Sequence, residues 1–96
     1  MSDCFEKECP YGAQTLLIPS IKDCRISIYA LDRPPYNFMI EAAIWSGKLL
    51  ILHSEGQTLN TDGKVTDGKI NIYIQDGNLY ITPKSVGITL RIRLVQ

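Results

Sequence analysis

Cys4, Cys9, Cys24 and His53 are the side chains of this sequence best suited to chemistry. Together they form a Cys₃His set, which points first to zinc. The spacing argues against it. Cys-x₄-Cys is looser than a usual zinc knuckle, and Cys24 and His53 are far away along the chain. A Cys4–Cys9 disulfide is the alternative use of the first pair, and reduced thiols are the ordinary state in a cytosolic protein. His53 as a general base would need a nucleophile and an orienting carboxylate beside it; Cys24, Asp23 and Asp32 are the candidates, with no local motif to join them. A histidine that closes a hydrophobic run reads as a strand-end residue. Asp62, Asp67 and Asp76 each precede a glycine. Calcium loops place several oxygen ligands at short spacing and Asp-x-Asp is absent, so all three read as turn residues. The glycines are scattered singly and make no phosphate loop. No catalytic residue, metal or cofactor is expected.

The elements that carry these residues are strands. Lys69-Ile-Asn-Ile-Tyr-Ile-Gln-Asp-Gly-Asn-Leu-Tyr-Ile-Thr82 is two alternating runs joined by Asp76-Gly77, the dipeptide that a type I′ turn selects because both central residues need positive φ. Folding there sets Ile74 opposite Leu79 and Ile72 opposite Ile81 on one face, with Tyr73 opposite Tyr80 on the other. Ile88 to Leu94 is apolar at every even position, and Cys24 to Leu31 alternates as cleanly. Ala13 to Ile18 is a short apolar run stopped by Pro19. Asp32-Arg-Pro-Pro35 is an extended corner.

Residues 36–53 are ambiguous between helix and strand: Phe38, Ala42 and Trp45 share a helical stripe, while the β-branched residues and Ser46-Gly47 favour a hairpin. Folding about Ser46-Gly47 pairs Ile44 with Leu49, Ala42 with Ile51 and Trp45 with Lys48. Residues 57–68 are a polar loop or weak ribbon containing an echo, Thr61-Asp-Gly-Lys64 and Thr66-Asp-Gly-Lys69, too short to be a structural repeat. The expected fold is all-β: a small antiparallel sandwich or jelly-roll-like barrel of seven or eight strands over residues 13–96. Residues 1–12 are expected to be a charged N-terminal arm that is disordered or orders on a partner. The last strand is long and apolar on one face. It is therefore expected to be central, or covered by another subunit.

Composition narrows the function classes. With 96 residues and 45% apolar content the chain makes one domain with a real core. Ten basic and ten acidic side chains cancel. That balance argues against a nucleic-acid partner, which would call for a basic face, and lowers the barrier to self-association. No run of 18 or more apolar residues is present, and the first residues lack the cationic and apolar regions of a signal peptide, so cytoplasmic residence without a membrane partner is expected. Tyr29, Tyr73 and Tyr80 fall on nominally solvent-facing sides of their strands, while the strands on either side of Ser46-Gly47, which include Trp45, are rather apolar on both faces, as in strands buried on two sides. Aromatic residues on a solvent face cover a small sheet, meet a partner, or stack on a sugar.

The ribbon Lys69–Thr82 and the closing run Gly87-Ile-Thr-Leu-Arg-Ile-Arg-Leu-Val-Gln96 resemble those of the small β-rich structural proteins of tailed-phage virions, the head-fibre, decoration and tail-adaptor subunits. The resemblance covers about the last thirty residues in style and matches no diagnostic motif. It implies a non-enzymatic, oligomeric virion component, made in the cytoplasm and docked on a neighbouring structural protein by an N-terminal arm. The expected interface residues are Tyr73, Tyr80, Arg91, Arg93, Tyr29 and Trp45; those of the docking arm are Cys4, Phe5, Cys9 and Tyr11. A carbohydrate- or ligand-binding module built on Trp45 and some of the tyrosines is the alternative. An inhibitor acting through a sheet edge is a further one.

Overall fold

The computed structural model describes residues 2–32, 34–63 and 70–95. The described residues form nine strands: β1 (Ser2–Cys9), β2 (Thr15–Ile18), β3 (Cys24–Ala30), β4 (Phe38–Trp45), β5 (Lys48–Glu55), β6 (Leu59–Asn60), β7 (Ile70–Gln75), β8 (Asn78–Pro83) and β9 (Ile88–Val95). They build two open sheets, β1-β9-β3-β4-β5 and β2-β8-β7-β6, packed as a sandwich rather than closed into a barrel. Every strand pair is antiparallel except the short β6–β7 contact.

Both hairpins take the registers that their turns imply. At the β7–β8 turn Asp76 and Gly77 have φ of 54° and 78°, and Ile72↔Ile81, Tyr73↔Tyr80 and Ile74↔Leu79 pair across it. Ser46 and Gly47, at 51° and 75°, make the corresponding turn between β4 and β5, pairing Trp45 with Lys48, Ile44 with Leu49 and Ala42 with Ile51. Residues 38–45 are thus a strand. The mirror-image turn has the twist that strands need, so alternation on either side fixes which residues meet.

Three expectations are corrected. The strand count is nine among the described residues, because the leader and the polar ribbon each contribute one. The segment expected to be a free arm is β1, paired with β9 along its length from Ser2↔Val95 to Cys9↔Ile88. Its own alternation explains this: Phe5 and Cys9 turn toward the core while Cys4, Glu6 and Glu8 face water, a pattern masked by the charges around it. The third concerns Ile74: the alternation of the two runs and of the last strand predicts that Ile72, Ile74, Leu79, Ile81, Leu90 and Ile92 are buried together, and five of them are, whereas Ile74 is half-buried against that core. Asp67, Lys69 and most of the Thr-Asp-Gly-Lys echo lie outside the described residues.

The core is supplied by the facing sides of the two sheets. Ile26, Ile28, Ile40, Ile44, Leu90 and Ile92 from the larger meet Leu17, Ile70, Ile72, Leu79 and Ile81 from the smaller. β9 lies between β1 and β3, so the long terminal strand is central. That placement satisfies both of its backbone edges, which an apolar strand at a sheet margin would leave open.

Candidate interaction surface

The residues singled out from the sequence fall on opposite outer faces of the sandwich. Tyr73 and Tyr80 lie on the outside of the smaller sheet, their rings stacked with centroids 6.0 Å apart. Arg91, Arg93 and Tyr29 lie on the outside of the larger sheet, where Tyr29 is directly across from Arg91. The two groups cannot meet one partner as a single patch.

Tyr73 is also not available to a partner, because it is only 4% exposed. Gln14 Nε2 donates to its hydroxyl at 2.8 Å, and the hydroxyl lies 3.2 Å from Thr82 Oγ1. Beside it, buried Asn71 donates from Nδ2 to the Thr82 carbonyl and accepts from Asn60 Nδ2, each at 3.2 Å. The face is a polar layer whose hydrogen bonds close internally. Buried amides and hydroxyls are stable only when so satisfied. Tyr73 is therefore a structural residue and leaves the interface set; Tyr80 is half-buried beside it.

The outer face of the larger sheet is organised in cross-strand rows. One runs Glu6, Arg91, Tyr29, Met39, Glu55; the next runs Cys4, Arg93, Ser27, Glu41, His53; a third runs Val95, Arg25, Ala43, Leu50. Arg91 Nη2 is 2.9 Å from Glu6 Oε1. Both groups are well exposed, and such a pair adds little stability. Ser27 Oγ donates to Glu41 Oε2 at 2.6 Å. Arg25, Ser27, Glu41, Arg93 and Val95 surround a shallow depression of about 220 Å³. A second depression, of about 410 Å³, lies toward Tyr29, Leu31 and Arg91.

The second row contains a serine, a carboxylate and a histidine, but in an order that does not make a relay. Glu41 stands between Ser27 and His53, and His53 Nε2 lies 3.4 Å from Glu55 Oε1 instead. A base must sit beside the hydroxyl it activates. Asp23 is committed elsewhere, accepting from the Ser46 amide at 3.0 Å beneath the β4–β5 turn. Among the described residues no three His, Cys, Asp or Glu side chains converge to hold a metal ion. Cys4 and His53 are on opposite edge strands of one sheet.

Trp45 is 62% exposed at the tip of the β4–β5 hairpin. Tyr29 pairs with Met39, six residues down β4 from Trp45, so the two rings are roughly 20 Å apart along the strand. No tyrosine joins Trp45 in an aromatic platform among the described residues. Of the proposed arm residues, Phe5 is half-buried against the core, Cys9 is buried, and Cys4 and Tyr11 are exposed.

All three thiols are free. Cys4 and Cys9 point to opposite faces of β1, five residues or roughly 17 Å apart, well beyond disulfide reach. Burial pushes the Cys9 thiol from 9.0 up to about 11, with the Lys7 ammonium opposing the shift. Burial, then the Asp23 carboxylate, raises Cys24 as well. Native protein is expected to give a prompt thiol reaction at Cys4, with Cys9 reacting only on unfolding. The shift of Cys9 also sets a pH dependence. Its thiol ionises first in the unfolded chain, so its contribution is whole below pH 9 and declines as pH rises toward about 11. The loss is on the order of 2 kcal/mol across that window. Urea unfolding of wild type and Cys9→Ala at pH 8 and pH 11 checks this: the variant should show the smaller fall, and equal falls would refute the assignment.

The chain matches no protein-family model, and neither a curated protein nor a solved structure is significantly similar to it.

Proposed function

We propose that this chain is a non-enzymatic structural or assembly protein that works by associating with itself and with a neighbouring structural protein. One observation carries the reading. Of the nine exposed large apolar residues among the described ones, five (Met39, Trp45, Leu50, Leu52 and Val95) stand on the outer face and free edge of the five-stranded sheet. Scattered apolar residues need no explanation, but a set gathered on one sheet and bordered by arginines is the composition of a protein–protein contact. A formal net charge of zero leaves no long-range repulsion to oppose it.

The resemblance of the last two strand units to those of tailed-phage structural proteins supplies the setting: a head-fibre, decoration or tail-adaptor subunit. Because β1 is bonded into the sheet, the contact is assigned to the sheet face and edge rather than to a detached leader. Sedimentation velocity over a concentration series is the test. A dimer or larger species that grows with concentration is the expected result. A strict monomer that binds an oligosaccharide, with binding lost in Trp45→Ala, would instead favour the carbohydrate-binding reading.

A further inference from the structure

A two-sheet sandwich has four margins, and three of them here are blunted. β1 carries Glu6, Lys7 and Glu8 in succession. β2 is four residues long, shifts register after Leu16, and is followed by Pro19. β6 is two residues long. Charge, brevity, irregularity and proline are the devices that keep sheet margins from pairing with other chains. β5 differs. It is eight residues long, apolar from Leu49 to Leu52, and lies at the margin of the larger sheet with no strand paired to its outer side among the described residues. Leu50 and Leu52 are 42% and 54% exposed.

Resting on the assembly reading above, we propose that two copies of this chain join by antiparallel pairing of their β5 strands, continuing one sheet into the next across a two-fold axis. The sequence of β5 is complementary to itself in this direction. Lys48 begins the strand and Glu55 ends it, so antiparallel pairing sets lysine against glutamate at both ends.

The faces agree as well, because of a bulge. Glu41 pairs with His53 and Ala42 with Ile51, which leaves Leu52 as an extra residue on β5. In an unbroken strand residues 48 and 55 would point to opposite faces. The extra residue inverts the alternation, so Lys48, Leu50, His53 and Glu55 all share the outer face with Trp45, Ala43, Glu41 and Met39. A continuous sheet about a two-fold requires opposed residues to share a face. Lys48 with Glu55, Leu50 with His53 and Leu49 with Ser54 across the axis each meet that condition.

Hydrogen-bond direction gives the same register. Residues of an antiparallel pair alternate between bonded and unbonded positions. Counting from Trp45↔Lys48, which closes the two-residue turn, Leu49, Ile51 and Ser54 are the positions whose amides and carbonyls point away from β4. Leu49 and Ser54 are opposed in the proposed register and can exchange bonds. The bulge falls on the axis, leaving a regular three-residue ladder on either side.

The test is sedimentation velocity of the full chain and three variants at exposed positions, with circular dichroism to confirm folding. Wild type should reach a dimer plateau. Lys48→Glu should weaken dimerisation by about tenfold or more, since it turns two attractions into two repulsions. Adding Glu55→Lys should restore it. Leu52→Lys, which sets a lysine of each copy at the axis, should leave a monomer. If wild type self-associates and the variants match it, β5 is not the contact, while the assembly reading stands on another face. If wild type is a monomer at every concentration, both fail.

Discussion

Ile72→Ala should lower the free energy of unfolding by about 2–5 kcal/mol. Ile72 has no exposed surface and sits on β7 opposite Ile81, itself fully buried, at the centre of the contact between the two sheets. Removing three carbons there loses their transfer free energy and leaves a cavity that rigid strands on both sides are slow to fill. Domains of this size are held by about 5–15 kcal/mol in total, so the variant should lose a large share of its stability. Ile74, two residues along on the same face but half-buried near the turn, should lose distinctly less as alanine. Urea titrations of the two variants read the difference. A change below about 0.5 kcal/mol at position 72, the range of an ordinary surface substitution, would contradict the placement of this face in the core.

Gly56→Ala is expected to be at least as damaging, through backbone rather than packing. Gly56 follows β5 with φ of +101°, and a Cβ there would collide with the Asn37 carbonyl oxygen and come within 2.7 Å of Phe38 Cα. These are main-chain atoms at the start of β4 and cannot swing aside. Phe38 is itself only 4% exposed, so movement would disturb the core. A loss of roughly 3 kcal/mol or more is expected, combining the cost of positive φ with overpacking. Gly77→Ala is the control. It too has positive φ, at +78°, but nothing lies within 4 Å of its added carbon, so about 1 kcal/mol is expected. Thermal melts of the two proteins should separate clearly, and comparable melting temperatures would show that the approach of Gly56 to β4 is looser than described.

The amino-acid sequence by itself determined the local pairings. Asp76-Gly77 and Ser46-Gly47 are turn signals, and alternation on either side of a turn leaves one register in which apolar residues share a face. The same alternation made the exposure of Arg91 and Arg93 and the burial of Leu90 and Ile92 legible in advance. Contacts between residues far apart in the chain were decided only by the tertiary structure. β1 is a strand because β9, at the other end of the sequence, offers it an edge; Phe5 and Cys9 then have a core to enter, which their charged neighbours gave no hint of. Tyr73 is buried because Gln14, 59 residues away, closes over its hydroxyl. Tyr29 and Arg91 are neighbours because β9 inserts beside β3, while Tyr80 is carried to the opposite side of the sandwich. Turn chemistry and side-chain period act over a few residues, so they are written locally. Which strand borders which, and so which side chains share a surface, follows from the packing of two complete sheets, to which every strand contributes at once.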